Sequence, residues 1–439
     1  MKLFKNSQQC ITAVVADQTG NIFELDGYAA VGMSGQSFFP MTADMVTNMP
    51  YGGEMMFLPD RIPVLYNIGA DRIETLSENP NLPGKRIYPV AAFNSPGYVI
   101  SYVVAYAEKK SAEHLPLFSY GAVGWQRGKF MSAVIQVDTE RRQDLRLMKQ
   151  KKIIAGIHKM KKVMPQNRLR AHLENCALQY GCPAGKNFFL KRFEAPLPTA
   201  RSCNAGCLGC LSLQDKTNIS NSQERIDFTP SPEEISEVAL THIKHVKCSV
   251  VSFGQGCEGE PLLAANVIAP AIRMIRSRTH NGTINVNTNG SSPEIIGKLF
   301  DAGLDSVRIS MNSVRKDCYT AYFRPNGYTF EDVIKSIELA IARNKFISIN
   351  YLNCPGFTDS PEEVEVLMEF LKRYPVNMIQ WRNLNFDPIR YYDVMNSIAE
   401  HGMPIGMDTL ISDIKRSFPS LKHGYFNPPK ESFKHLNLE

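Results

Sequence analysis

Three cysteines, Cys203, Cys207 and Cys210, stand in the run Arg201-Ser202-Cys203-Asn204-Ala205-Gly206-Cys207-Leu208-Gly209-Cys210, with three and then two residues between them. The residues between them are small or flexible, so the backbone can bend and turn three thiolates onto one compact inorganic centre. A cubane iron-sulfur cluster needs four iron ligands, and three sulfurs leave one iron open to an outside molecule. The competing chemistry is a zinc knuckle completed by a histidine or by Cys176 or Cys182, which lie upstream with five residues between them.

The elements that must position these residues are legible in the apolar pattern. From about residue 196, short β-branched runs alternate with amphipathic stretches. Strands are expected around 196 to 201 and in CSVVSF, TINVNT, DSVRISM, FISINYL and VNMIQW, with helices near 231–245, 262–279, 292–302, 329–344, 360–373 and 389–400. Ser231-Pro232-Glu233-Glu234 and Ser360-Pro361-Glu362-Glu363 each put a capping side chain before proline and acids in the first turn. Six βα units in a row imply an α/β fold with a parallel sheet, open or curled into part of a barrel. The cysteine run follows the first strand. The other polar groups follow later ones, at the end of the sheet where a parallel barrel gathers its site.

Three further segments complete the expected organisation. Residues 1–140 read as a β-rich N-terminal domain, with a hairpin at Asp17-Gln18-Thr19-Gly20 and an aromatic load (Tyr98, Tyr102, Tyr106, Tyr120, Trp125) suited to a core or to one wall of a cleft. Residues 141–195 read as a helical connector that includes Cys176 and Cys182, with Ile153, Ile154, Ile157 and Met160 on the apolar face of an amphipathic helix. Residues 401–439 read as a C-terminal extension.

The triplet, on the loop after the first strand of a βα series, resembles that of the radical S-adenosylmethionine (radical SAM) superfamily. The resemblance covers roughly residues 196–400 and implies a partial (β/α)6 TIM-like barrel. It also implies a 4Fe-4S cluster on Cys203, Cys207 and Cys210, with S-adenosylmethionine chelating the open iron. An electron passed through such a cluster breaks a carbon–sulfur bond and yields a 5'-deoxyadenosyl radical that abstracts hydrogen from substrate. A one-electron reductant such as flavodoxin or ferredoxin is implied as partner.

In Gly254-Gln255-Gly256-Cys257-Glu258-Gly259-Glu260-Pro261, Gly259 and Glu260 resemble the motif that binds the methionine amino group. Asn289, in Thr288-Asn289-Gly290, corresponds to a position bordering the cofactor. Ser310 and Asn312, two apart on one strand face, correspond to groups offered to the ribose. Cys354, in the Pro-Gly-containing fifth-strand ending, and Arg382, after the sixth strand, are candidate substrate-side groups. Relatives commonly carry an aromatic residue before the last cysteine, to pack on adenine, where this chain has Gly209. The ISMNS and Gly-Glu-Pro text also resembles radical RNA methyltransferases, which require two further reactive cysteines. Outside the resemblance nothing assigns a substrate, so RNA, a peptide and a small molecule stay open. A structural zinc module and an electron-transfer protein without SAM chemistry are the alternatives.

Composition constrains the setting. With 439 residues, 44% hydrophobic and 21% charged, the chain reads as an ordinary globular protein of two or three domains. No apolar run suits a secretory signal or a membrane span, which points to the cytoplasm without membrane attachment. Ten cysteines there are unlikely disulfides. Cys10, Cys248 and Cys318 suit small buried filler, and no cysteine follows Cys354 to build a C-terminal auxiliary cluster. The net charge is +6, and between Arg141 and Arg170 eleven Lys or Arg face one acid, Asp144. Such a segment is a solvated helix face or a contact for an acidic molecule or nucleic acid.

Overall fold

The computed structural model describes residues 10–108, 112–214 and 219–433. The ends of the first and last sequence segments lie outside these residues. Seven parallel strands, neighbours in chain order, form the main sheet: β1 (Glu194–Pro196), β2 (Val250–Phe253), β3 (Thr283–Thr288), β4 (Ser306–Met311), β5 (Phe346–Asn353), β6 (Met378–Asn383) and β7 (Lys422–Gly424). Successive side chains point to opposite faces. Val251, Phe253, Ile284, Val286, Val307, Ile309, Ile347, Ile349 and Ile379 belong to the main apolar core. The alternate residues, among them Asn285, Asn287, Arg308, Ser310, Asn350, Gln380 and Arg382, are polar and form the concave face of a half-barrel.

Three helices precede the sheet: α1 (Gln150–Val163), α2 (Arg168–Leu178) and α3 (Pro183–Leu190). Eight accompany its strands: α4 (Pro232–His245), α5 (Ala265–Arg278), α6 (Pro293–Ala302), α7 (Lys316–Phe323), α8 (Phe330–Ala342), α9 (Pro361–Arg373), α10 (Pro388–Asn396) and α11 (Met407–Ser417). The capping signals act as expected. The Ser231 hydroxyl accepts from the Glu234 amide while the Glu234 carboxylate accepts from the Ser231 amide, and Ser360 caps α9 through the Glu363 amide.

The structure differs from the sequence reading in three places. The six-stranded sheet gains a seventh strand, because β7 and α11 come from the segment read as an extension; β7 pairs parallel with β6 through Met378 and Lys422. In the connector, two single-turn 3-10 helices precede α1, and α1 and α2 are separate helices. Asn167 caps α2 by accepting from the Arg170 amide at 2.9 Å. Ile153, Ile157 and Met160 are buried on α1 but Ile154 is exposed. The basic stretch is partly spent in ion pairs: Arg142 with Glu140, Arg146 with Asp144, Lys161 and Arg170 with Glu174, and Arg168 with Glu234.

The N-terminal region is antiparallel. Its hairpin joins Thr12–Ala16 to Ile22–Ala29, with Ala16 opposite Ile22, and the Asp17 carboxylate accepts from the Thr19 and Asn21 amides at 2.8 and 3.0 Å. Tyr106 and Tyr120 are core, whereas Tyr98, Tyr102 and Trp125 are half-buried. Cys318 is buried filler, but Cys10 and Cys248 are only half-buried.

The region covers the far end of the half-barrel. The Ile100 amide donates to Asn383 Oδ1 at 2.9 Å, and the Asn383 and Asn353 amides donate to the Tyr98 and Ile100 carbonyls at 3.0 and 2.8 Å. Buried Arg61 pairs with Asp387 at 3.2 Å, and the Tyr106 hydroxyl donates to Asp387 at 2.8 Å. Gly356, at φ +95°, lies against the Gly35 backbone where no side chain would fit. Among the described residues, no helix is long and apolar enough to cross a membrane.

Candidate active site

The cysteine loop follows β1 and is laid along the exit of α7, a helix that the sequence reading had not placed. The Gly206 and Leu208 amides donate to the Phe323 and Tyr322 carbonyls at 3.0 Å each, and the Asn326 amide donates to the Asn204 carbonyl at 2.9 Å. These backbone bonds hold the loop open and leave Cys203, Cys207 and Cys210 half-buried on one short irregular stretch. Burial pushes the Cys203 thiol up to about 11, with the Glu260 carboxylate adding to the rise. Burial and the two neighbouring thiols push Cys207 well above its ordinary value. A cationic centre reverses that preference by taking the place of the thiol protons. Arg225, on no sequence motif, brings a guanidinium nitrogen 3.5 Å from Cys210 Sγ.

The loop after β2 is docked on the cysteine loop through its backbone. The Gly259 amide donates to the Ala200 carbonyl at 2.7 Å and the Glu260 amide to the Ser202 carbonyl at 2.9 Å. A Cβ on Gly259 would overlap the Ser202 carbonyl, so glycine is what allows this approach. Glu258, unremarked in the sequence, holds the same turn. Its buried carboxylate accepts from four amides: Thr199 (2.7 Å), Ala200 (2.9 Å), Gly254 (2.6 Å) and Gln255 (2.8 Å). Burial lifts it to about 7 against those four donors.

Glu260 is used differently from the sequence expectation. Its carboxylate accepts from the Thr288 hydroxyl, from the Leu262 amide at 3.1 Å and from the Asn289 amide at 2.8 Å, and it is 4% exposed. One of about four acceptor directions is left, so its main work is to join the loops after β2 and β3. Burial raises this carboxyl too, to about 7. Asn289 extends the linkage, its side-chain amide donating to Asn204 Oδ1 at 2.8 Å. The cysteine loop, the Gly-Glu-Pro turn and the Thr-Asn-Gly turn are therefore one hydrogen-bonded unit.

Ser310 and Asn312 are separated. Ser310 faces the half-barrel interior, where the Asn350 amide donates to it at 3.4 Å. β4 ends at Met311, strand alternation ends with it, and Asn312 turns into the core. There its amide reaches the Cys318 carbonyl at 3.2 Å and the Tyr391 hydroxyl at 3.1 Å. Cys354 is 3% exposed within the main core, and burial pushes its thiol far up, which removes it as a nucleophile.

Arg382 lies flat on the Tyr425 ring, 3.8 Å from its centroid. It also faces Arg308, which burial, and then the Arg382 charge, push down to about 9. A guanidinium does not give up its proton, so the direction marks a site that favours an anion. Below them Asn427 closes the interior, bonded to Gln380 and Glu194 at 2.9 and 2.8 Å. Cys176 and Cys182 lie on α2 and at the start of α3, where Cys176 meets His172 and Cys257.

A 4Fe-4S cluster and S-adenosylmethionine fit the residues present. The donor set is three thiols. Among the described residues only His172, Cys176 and Cys257 bring three candidate ligand atoms within 4.8 Å of one another, so the triplet is set wider than the roughly 3.8 Å sulfur separation around one zinc ion. The side-chain oxygen of Asn350, beside Ser310 on the interior face, is buried without a partner. Gly209 also finds an explanation. A Cβ there would lie 2.9 Å from the Asn385 carbonyl oxygen, 3.0 Å from the Tyr322 hydroxyl and 3.5 Å from Phe386 Cβ. The room that a side chain at residue 209 would need is taken by Asn385, Tyr322 and Phe386.

Known proteins resemble the chain over the same stretch. Residues 197–371 match the family model of the radical SAM superfamily. GTP 3',8-cyclase of Lactiplantibacillus plantarum is 27% identical over 190 residues, 43% of this chain and 52% of that protein. A probable GTP 3',8-cyclase of Methanococcus aeolicus is 30% identical over 186 residues, 40% of this chain and 57% of that protein. The chain thus spans about half the length of the curated relatives it matches. Among solved structures, a radical SAM methyltransferase from Sphaerobacter thermophilus aligns with a TM-score of 0.37 at 14% identity, over 52% of this chain and 63% of that one. anSMEcpe with bound AdoMet aligns at 0.34 and 17%, over 44% and 52%. The similarity of the chain to the radical SAM superfamily thus extends over residues 197–371.

Proposed function

We propose that the chain is an enzyme that binds a 4Fe-4S cluster on Cys203, Cys207 and Cys210 and S-adenosylmethionine at the open iron, and removes hydrogen from an anionic substrate held beneath the N-terminal region. When bound, the cluster and S-adenosylmethionine together supply reductive carbon–sulfur cleavage and a 5'-deoxyadenosyl radical. The observation that carries the reading is the backbone docking of the Gly259-Glu260 turn on the cysteine loop, which joins the metal ligands to the turn that relatives use for the methionine moiety.

The chain's own residues do the rest. Backbone carbonyls of the Gly259-Glu260 turn and the remaining acceptor direction of Glu260 take the ammonium hydrogens. Ser310 and Asn350 offer polar atoms to the ribose, and Tyr322 and Phe386 give the adenine an apolar wall. The strand at Tyr98–Ile100, bonded to Asn353 and Asn383, excludes water from the end of the half-barrel. Arg308 and Arg382 receive a phosphate or carboxylate. An anionic substrate also suits the similarity to proteins named GTP 3',8-cyclase. A one-electron reductant, flavodoxin or ferredoxin in class, feeds the cluster, and its free thiolate ligands suit the reducing cytoplasm.

The test is anaerobic reconstitution with iron and sulfide, followed by dithionite and S-adenosylmethionine. 5'-Deoxyadenosine is expected from the native chain and not from Cys207→Ala. No 5'-deoxyadenosine from a fully iron-loaded native chain, or equal amounts from both proteins, would refute the proposal.

A further inference from the structure

A second group of ligand atoms lies outside the cysteine triplet. His172 and Cys176 stand four residues apart on α2 and so share a face, and Cys257 reaches them from the loop after β2. His172 Nε2 is 3.5 Å from Cys176 Sγ and 3.5 Å from Cys257 Sγ, and all three ligand atoms lie within 4.8 Å of one another. Cys176 and Cys257 are buried. Cys182, at the cap of α3, donates its amide to the Cys176 carbonyl at 3.0 Å, which ties the start of α3 to α2.

The three groups form a hydrogen-bonded triangle in which Cys176 meets both His172 and Cys257. A metal ion at its centre would match the same distances. With metal–nitrogen bonds of about 2.0–2.1 Å and metal–sulfur bonds of about 2.3 Å at a tetrahedral angle, the nitrogen–sulfur edge is about 3.5–3.6 Å. Two nitrogen–sulfur edges of 3.5 Å are what the structure has.

We propose that His172, Cys176 and Cys257 bind a single zinc-class ion that is separate from the cysteine triplet. Binding releases the thiol protons to solvent and requires no oxidant or reductant. The ion staples α2 to the segment carrying Glu258, Gly259 and Glu260, and thereby fixes the turn that docks on the cysteine loop. The sequence alone offered Cys176 and Cys182 without a complete ligand set, because Cys257 comes from a distant segment and the four-residue step from His172 to Cys176 gains meaning only once Cys257 is beside it.

The full chain, purified without oxygen, tests this by metal counting and zinc-edge X-ray absorption. About one zinc per chain is expected, with a first shell of sulfur and nitrogen at tetrahedral distances. Cys176→Ser and Cys257→Ser should lose the zinc. Cys203→Ala/Cys207→Ala/Cys210→Ala should lose its iron and keep the zinc. Cobalt added to the metal-free form of that triple variant should give the visible bands of a tetrahedral thiolate complex, a readout that does not depend on the serine variants folding. An all-oxygen zinc shell, no zinc or cobalt bound, iron and sulfide at these residues, or a Cys176–Cys257 disulfide in the isolated protein would overturn the proposal. Since the triple variant has no cluster, these outcomes are independent of whether the chain cleaves S-adenosylmethionine.

Discussion

Gly259→Ala puts the docking of the two loops to a direct test. A methyl group on residue 259 would meet the Ser202 carbonyl, which is backbone and has no rotamer to yield. The loops would have to part by about 1.5 Å to reach ordinary contact. That displacement carries the Gly259–Ala200 bond, now 2.7 Å, and the Glu260–Ser202 bond, now 2.9 Å, beyond hydrogen-bonding range. Each buried amide left without a partner costs about 1–3 kcal/mol, so the substitution should destabilise by about 2–6 kcal/mol. The assay is anaerobic urea unfolding of the reconstituted protein, with iron content and S-adenosylmethionine binding measured on the same preparation. All three should fall. Gly297→Ala is the control. It lies within α6, where the added Cβ meets only Leu339 at 3.6 Å, so alanine should leave stability unchanged or raise it by up to about 1 kcal/mol. A Gly259→Ala protein with native midpoint, iron load and affinity would refute the reasoning, as would equal losses in both variants.

Two further outcomes follow from the geometry. Asp387→Ala removes one of the two carboxylates paired with buried Arg61, leaving Glu108, and removes the acceptor of the Tyr106 hydroxyl; it should cost about 1–3 kcal/mol in urea unfolding, and a change under about 0.5 kcal/mol would show that the N-terminal region is held on the half-barrel by other contacts. His423, whose Nδ1 accepts from the Trp381 indole at 3.0 Å, is pushed down to about 4 by burial and then by Lys415. Because its folded value lies below the unfolded one near 6.5, the unfolded chain takes up this proton first. The stability it contributes is present above about pH 6.5 and is lost as pH falls toward 4. His423→Gln should therefore flatten the pH dependence of stability by about 1.4 kcal/mol per pH unit across that window, and an unchanged slope would show that His423 does not titrate in this way.

What was legible in the sequence was what local pattern controls. β-Branched runs such as TINVNT and FISINYL, and capping residues such as Ser231 and Ser360, specified the strands and helices within a few residues. The cysteine spacing marked the loop on which the cluster is proposed. What was not legible depends on contacts between distant segments. β7 is three residues long, Lys422–Gly424, and carries no apolar run. α7 ends at Phe323 because Arg324 adopts a left-handed conformation, φ +49°, and only in three dimensions does its exit become the shelf for the cysteine loop. Glu260 reads as a ligand-binding carboxylate by resemblance, yet most of its acceptor capacity is used by Leu262, Thr288 and Asn289. Glu258 reads as nothing in particular, yet organises four amides. Asn312 departs from the strand face it was expected to share with Ser310 because β4 ends one residue earlier. Arg308 was invisible as a neighbour of Arg382 because β5 and the helices α7, α8 and α9 separate them in the chain.

The central claim is that three sulfurs hold a cluster whose fourth iron accepts S-adenosylmethionine. Electron paramagnetic resonance of the reconstituted, dithionite-reduced chain, recorded before and after adding S-adenosylmethionine, tests it most directly. The account predicts the signal of a reduced 4Fe-4S cluster whose g-values shift when S-adenosylmethionine is added, and no such signal from Cys203→Ala/Cys207→Ala/Cys210→Ala. A reduced cluster whose spectrum is indifferent to saturating S-adenosylmethionine would contradict it.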